Sequence, residues 1–190
     1  MVMSGLSDYV IRNRASWDGW AREYEQPGRL NWAQDEPSWG IWSVPEAEVG
    51  LLPDDLDGVD VIELGCGTGY VSAWLARRGA RPVGIDNSQA QLKTARAFQR
   101  EFELEFPLLH GNAEDVPLPD ASFDLAISEY GASIWCDPYR WIPEAARLLR
   151  PEGTGPVKKS GKPASSLEPP TPPSQHSLAM PHWRPQPIVR

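Results

Sequence analysis

Residues 59–69 place the strongest constraint on what this chain can become. An apolar run from Val59 to Leu64 enters a turn with glycine at every second position, Gly65, Gly67 and Gly69. A β-carbon at such positions would obstruct a tight turn, the approach of a ligand to bare backbone, or the packing of a following helix against its strand. A strand followed by a glycine turn suggests a dinucleotide site, but that fingerprint is G-x-G-x-x-G, with an open helix N-terminus for the pyrophosphate. Counted from Gly65, its third glycine would fall at position 70, which is Tyr70. Glu63, just before the turn, would repel a pyrophosphate and attract an ammonium group. A nicotinamide-dependent oxidoreductase is therefore the disfavoured reading, and a ligand with a cationic end the favoured one.

A second acid extends the argument. Arg81 to Ile85 reads as a short strand that ends on Asp86, about 20 residues past the first glycine, where a carboxylate accepts hydrogen bonds from ribose hydroxyls. A ligand with an amino-acid end and a ribose satisfies both acids. Each feature alone has a plainer explanation, since a glycine turn can be a simple βα connection and Asp86 can cap the next helix. Their order and spacing together favour the ligand.

On these residues the chain resembles the class I S-adenosylmethionine-dependent methyltransferases, whose first motif has the form [V/I]-[L/I]-[E/D]-x-G-x-G-x-G. The resemblance continues through His110 to Leu125, which is similar to the family's G-D-A-E-x-L-P-F-x-D-x-S-F-D segment. It implies S-adenosylmethionine as cofactor, with Glu63, Gly65, Cys66, Gly67 and Gly69 at the methionine end and Asp86 and Asn87 at the ribose. Asn112, Ala113 and Glu114 would flank the adenine, Asn112 standing where the family usually has aspartate. Ser128, Glu129 and Tyr130 follow the fourth strand, where the family positions acceptor and methyl group. Ser128 joins the cofactor set, and Glu129 is the candidate for orienting the acceptor or taking its proton. The implied chemistry is direct displacement of a methyl group onto a small-molecule acceptor. Cys66 reads as a small residue in a tight loop, because no partnered base is placed to make it a nucleophile. His110 reads as structural.

Strand and helix signals alternate over residues 57–150. Tyr70 to Arg78 has apolar residues at helical spacing and stops at Gly79, and Ser88 is a good N-cap for a helix reaching about Phe102. Leu108 to Asn112 and Phe123 to Ser128 read as the third and fourth strands, with a last helix from about Tyr139 to Leu149. The expected fold class is α/β: a Rossmann-like three-layer α/β/α sandwich on a mostly parallel sheet of order 3-2-1-4, its C-terminal strands missing. Residues 1–56 form an expected helical cap crowded with Trp17, Trp20, Trp32, Trp39 and Trp42. These rings and Tyr24 would either close over the ligand or cover the sheet.

The remaining 151–190 read as a disordered tail, with half of all 20 prolines lying beyond residue 150. On this reading the chain is truncated or altered after the last helix, and the alternative to an active enzyme is an inactive cofactor-binding or interaction protein. The fourth strand would be left as an apolar edge open to self-association. A net charge of −8 and no basic cluster in the first 150 residues argue against a nucleic-acid partner. Two cysteines, Cys66 and Cys136, form no metal-ligand spacing, and no apolar run approaches membrane-spanning length. No metal, no membrane and a cytoplasmic location are the corresponding expectations.

Overall fold

The computed structural model describes residues 6–151 of the chain. The expected tail lies outside the described residues, apart from Pro151. Two helices come first, α1 (Asp8–Trp20) and α2 (Glu25–Trp32), then a two-stranded antiparallel hairpin of β1 (Ser38–Trp39) and β2 (Val44–Pro45), and one turn of helix, α3 (Glu46–Val49). The sheet follows: β3 (Asp60–Leu64), α4 (Tyr70–Arg77), β4 (Arg81–Asp86), α5 (Gln89–Glu101), β5 (Leu108–His110), β6 (Leu125–Ile127), α6 (Ala132–Trp135) and α7 (Pro138–Leu148). Its four strands lie in the order β5-β4-β3-β6, all parallel, which is the expected 3-2-1-4 arrangement.

β3 is central because its side chains are apolar on both faces. Val61 packs with Val71, Trp74 and Leu75 of α4, while Ile62 and Leu64 pack on the other face with Phe123, Ala145 and Leu148. Val61, Ile62 and Leu64 are fully buried, and each such side chain contributes roughly 1.5–3 kcal/mol. A third cluster joins Trp32 to Ala73, Phe98 and Phe106 and so fixes α2 against α4 and α5. The Trp32 ring stacks on Phe106 with centroids 5.8 Å apart.

Local signals explain the helix starts. Ser88 Oγ accepts from Gln91 N at 3.1 Å to cap α5, and Asp137 accepts from Tyr139 N at 2.9 Å ahead of Pro138 to cap α7. Gly79 closes the end of α4 at φ +88°. The third and fourth strands are shorter than their apolar runs. Asn112 turns back to bridge Asp115, and the Phe123 N–H donates to Leu148 O at the end of α7. β6 is an edge among the described strands, and Arg150 N donates to Phe123 O alongside its start. No helix among the described residues is long and apolar enough to cross a membrane.

Candidate functional site

Above the carboxyl ends of β3, β4 and β6 lies a cavity of about 520 Å³, a size within the usual range for small-molecule sites. Its floor is the turn between β3 and α4. Gly65 N and Cys66 N both donate to Ile85 O, at 2.9 and 3.0 Å, which ties the turn to β4. Gly65 has φ +77°, and a β-carbon there would come within 2.6 Å of Ala132 N. The backbone of Gly131 and Ala132 therefore rests directly on the turn. Gly67, at φ +52°, faces open space with no heavy atom within 4 Å of an added β-carbon. One glycine is required by packing and the other leaves room for a ligand. From behind, Trp32 Nε1 donates to Thr68 O at 2.8 Å and holds the turn against α2.

Glu63 differs from its expected place. It is fully buried and absent from the cavity wall; its Oε2 accepts from Ser72 N at 2.9 Å and from Ser72 Oγ at 2.5 Å. Ser72 is the third residue of α4, whose N-cap is Gly69 and lacks a side-chain acceptor. The strand carboxylate thus supplies the cap that glycine cannot. Burial pushes the Glu63 carboxyl up to about 8, against the lowering effect of the two Ser72 bonds. The sequence signal was the acid itself; its partner is visible only once α4 is folded back over β3.

Asp86 does line the cavity. Its Oδ2 accepts from Gly67 N and its Oδ1 from Ser88 N, both at 2.7 Å, so it clamps the glycine turn to the start of α5. Burial raises its pKa, offset in part by those two N–H groups. Asn87, Asn112 and Ala113 complete this end of the cavity. Glu114, although next in sequence, points away: both its oxygens accept from Tyr9 Oη, and Oε1 also accepts from Asp137 N at 2.9 Å. Ser128 is likewise structural, donating to Leu64 O at 2.8 Å and accepting from Ser133 N at 3.1 Å. Of the expected residues, Gly65, Cys66, Gly67, Asp86, Asn87, Asn112, Ala113 and Glu129 reach the cavity, while Glu63, Gly69, Glu114 and Ser128 support it from outside.

At the opposite end stand Glu129, Tyr130 and Tyr70. Glu129 Oε1 accepts from Gly40 N at 2.8 Å, and Tyr130 Oη accepts from Ile41 N at 2.9 Å, so the hairpin closes on the loop after β6. Burial raises the Glu129 carboxyl above its ordinary value. Burial, and then the neighbouring Glu129, keep the Tyr70 phenol protonated. Burial also pushes the Cys66 thiol up, and Cys136 to about 12, so neither is an activated nucleophile.

Sequence reasoning missed how α1 is fastened across the cavity. Arg14 Nε donates to Asn87 Oδ1 at 2.8 Å, Asn87 Nδ2 donates to Val10 O at 2.9 Å, and Asn13 Nδ2 donates to Trp135 O at 2.8 Å. Ser88 Oγ donates to Asp18 Oδ1 at 2.6 Å. The tryptophans divide between the two expected roles. Trp17 lines the cavity in edge contact with Trp20, Tyr24 and Trp135, whereas Trp32 and Trp39 are buried in the core. Among the described residues no Lys, Arg or His belongs to the cavity wall, while Asp86 and Glu129 do. That balance suits a ligand with a positive centre and disfavours a phosphate.

Comparison with known proteins converges on the same region. Residues 62–155 match the family described as "Methyltransferase domain". A ubiquinone biosynthesis O-methyltransferase of Maricaulis maris is 33% identical over 98 residues, covering 51% of this chain and 39% of the relative. An uncharacterized methyltransferase of Mycobacterium tuberculosis is 40% identical over 109 residues, covering 57% and 42%. A chloroplastic 2-methyl-6-phytyl-1,4-hydroquinone methyltransferase of rice, Oryza sativa, is 34% identical over 127 residues, covering 62% and 36%. The chain thus spans well under half the length of these relatives. In fold it is similar to the crystal structure of a SAM-dependent methyltransferase from Aquifex aeolicus, with a TM-score of 0.55, 17% identity and coverage of 70% and 68%.

Proposed function

We propose, since this chain belongs to the class I S-adenosylmethionine-dependent methyltransferases, that it transfers a methyl group from S-adenosylmethionine to a small-molecule acceptor by direct displacement. One observation carries the reading: the bare backbone of Gly67, the Asp86–Asn87 corner and the Asn112–Ala113 turn all face one cavity whose wall, among the described residues, has two carboxylates and no cation. That donor set fits the cofactor. The open side of Gly67 leaves space that a β-carbon would fill, and the acids complement a molecule carrying an ammonium and a sulfonium. When bound, the cofactor supplies a methyl carbon on a positively charged sulfur, which departs as a neutral thioether.

The chain's own residues would do the rest. Gly65, Cys66 and Gly67 present backbone to the amino-acid end, Asp86 and Asn87 meet the ribose, and Asn112 and Ala113 border the adenine. Glu63 acts one layer below, by capping α4 and fixing the turn. The α1 helix and the hairpin close over the cavity and exclude water, which lets positioning carry much of the rate enhancement. Glu129 stands at the acceptor end with Oε1 held by Gly40 N, and Oε2 accepts no hydrogen bond among the described residues. It is the group that takes the acceptor's proton. The small-molecule acceptor is supported by relatives named for ubiquinone biosynthesis and for a phytyl hydroquinone.

The test is transfer of tritiated methyl from S-adenosylmethionine to a panel of phenols, amines and thiols, with wild type and Glu129→Gln. Transfer that rises with pH as Glu129 ionises, and loses that dependence in the variant, supports the assignment. Absence of transfer to every class, with the cofactor bound, would make the chain a binding protein.

A further inference from the structure

The mouth of the cavity carries large exposed apolar side chains. Ile41 is 68% exposed, Trp42 beside it at the hairpin tip is 72% exposed, and Ile134 across the opening is 57% exposed. Ile41 and Ile134 belong at the same time to the cavity wall, as do the partly exposed Tyr130 and Trp135. Ile41 and Ile134 thus give the opening an apolar rim on the cavity that also holds Tyr70 and Glu129. Large exposed apolar groups gathered at one opening mark a place where something binds. The absence of any Lys, Arg or His from the wall among the described residues adds a second constraint. An acceptor carrying a carboxylate or phosphate would sit beside Glu129 with no counter-charge from the described wall, and its desolvation would go uncompensated.

We infer that the acceptor is an uncharged molecule with a hydroxyl-bearing head and an apolar arm, the head held between Tyr70 and Glu129 and the arm lying over Ile41, Trp42 and Ile134. This rests on the methyltransferase reading and specifies its substrate class. The Tyr70 phenol donates to the acceptor oxygen and Glu129 accepts the hydroxyl proton. As the acceptor oxygen forms its bond to the methyl carbon, the carbon–sulfur bond breaks with its electron pair going to sulfur. Tyr70 occupies the place where a dinucleotide loop would carry glycine, so the residue that excludes that ligand class is the one that defines the acceptor end.

The experiment uses the full chain with S-adenosylhomocysteine present and reads quenching of tryptophan fluorescence, which needs no turnover. Catechol, 4-decylcatechol below its micellar concentration, and 3,4-dihydroxybenzoate are titrated in parallel. The decyl compound should bind at least about tenfold more tightly than catechol, because each buried methylene adds to affinity, and the carboxylate should bind at least about tenfold more weakly. In the Ile41→Ser, Trp42→Ser double variant the ratio of decylcatechol to catechol affinity falls toward one. Equal affinities for catechol and decylcatechol, an unchanged ratio in the double variant, or binding of the benzoate as tight as catechol would each overturn the inference. Sedimentation of wild type but not the double variant with phosphatidylcholine vesicles, without a decylcatechol preference, would overturn it in favour of a membrane surface. Calorimetry with S-adenosylmethionine reports the cofactor reading separately, so failure of one is not mistaken for failure of the other.

Discussion

Gly65 and Gly67 lie two residues apart in one turn, yet replacing each by alanine should break different things. Both sit at positive φ, where a side chain costs about 1–2 kcal/mol. At Gly65 the new methyl would also land 2.6 Å from Ala132 N and 2.7 Å from Gly131 Cα. Those are backbone atoms that cannot swing aside, and overpacking of that kind adds about 1–3 kcal/mol. Gly65→Ala should therefore lose roughly 2–5 kcal/mol, a large part of the usual stability of a domain. Gly67→Ala meets nothing within 4 Å, so it should lose only about 1–2 kcal/mol and remain folded. Its methyl group instead occupies the cavity floor and should weaken S-adenosylmethionine binding by at least about tenfold. Urea midpoints separate the two on stability, and calorimetric titration of folded Gly67→Ala reads the affinity. If Gly67→Ala binds like wild type, the turn is not a cradle; if the two variants are equally stable, the packing of Gly131 on Gly65 is not what the geometry says.

Glu63 makes stability pH-dependent in a direction that can be signed. Burial holds its carboxyl at about 8 in the folded chain against an ordinary 4.5. The folded state then binds a proton that the unfolded state has released, so this stabilisation is full below pH 4.5 and is lost as pH rises through about 8. Urea unfolding at pH 5 to 8 should show that fall, and Glu63→Gln should flatten it; parallel profiles for the two proteins would remove Glu63 as the cause. Arg14→Ala deletes the hydrogen bond to Asn87 Oδ1 and should weaken cofactor binding by about fivefold to tenfold with little change in urea midpoint. Unchanged calorimetry would mean that α1 does not cover the cofactor. Trp32→Phe leaves the buried Thr68 carbonyl without its donor and should lower stability by about 1–3 kcal/mol in urea. A stability unchanged from wild type would show that the turn is held by other contacts.

The parts legible in the sequence are those written in local chemistry. Apolar strand runs, Gly79 at the end of α4 and the caps Ser88 and Asp137 give strands and helices in order, and short right-handed connections leave few sheets besides 3-2-1-4. The glycine turn and Asp86 announce a ligand because only a few backbone uses require them. What could not be read depends on residues far apart in the chain. Glu63 was legible as an unusual acid but not as the cap of α4, since Ser72 becomes its partner only through the strand–helix fold. Glu114 sits inside a recognisable segment, yet Tyr9, distant by 105 residues, takes its carboxylate away from the cavity. The hairpin has two residues per strand, too few for alternation to show. Gly131, pressed against the first glycine of the turn, offered an overlooked signal, a glycine in the loop that follows the fourth strand.

A crystal structure of the full chain grown with S-adenosylhomocysteine tests the central claim most directly. The nucleoside should lie with its ribose at Asp86 and Asn87, its base at Asn112 and Ala113, and its amino-acid end against the backbone of Gly65 to Gly67. Density for it anywhere else on the molecule, with that backbone covered by protein side chains, would contradict the account.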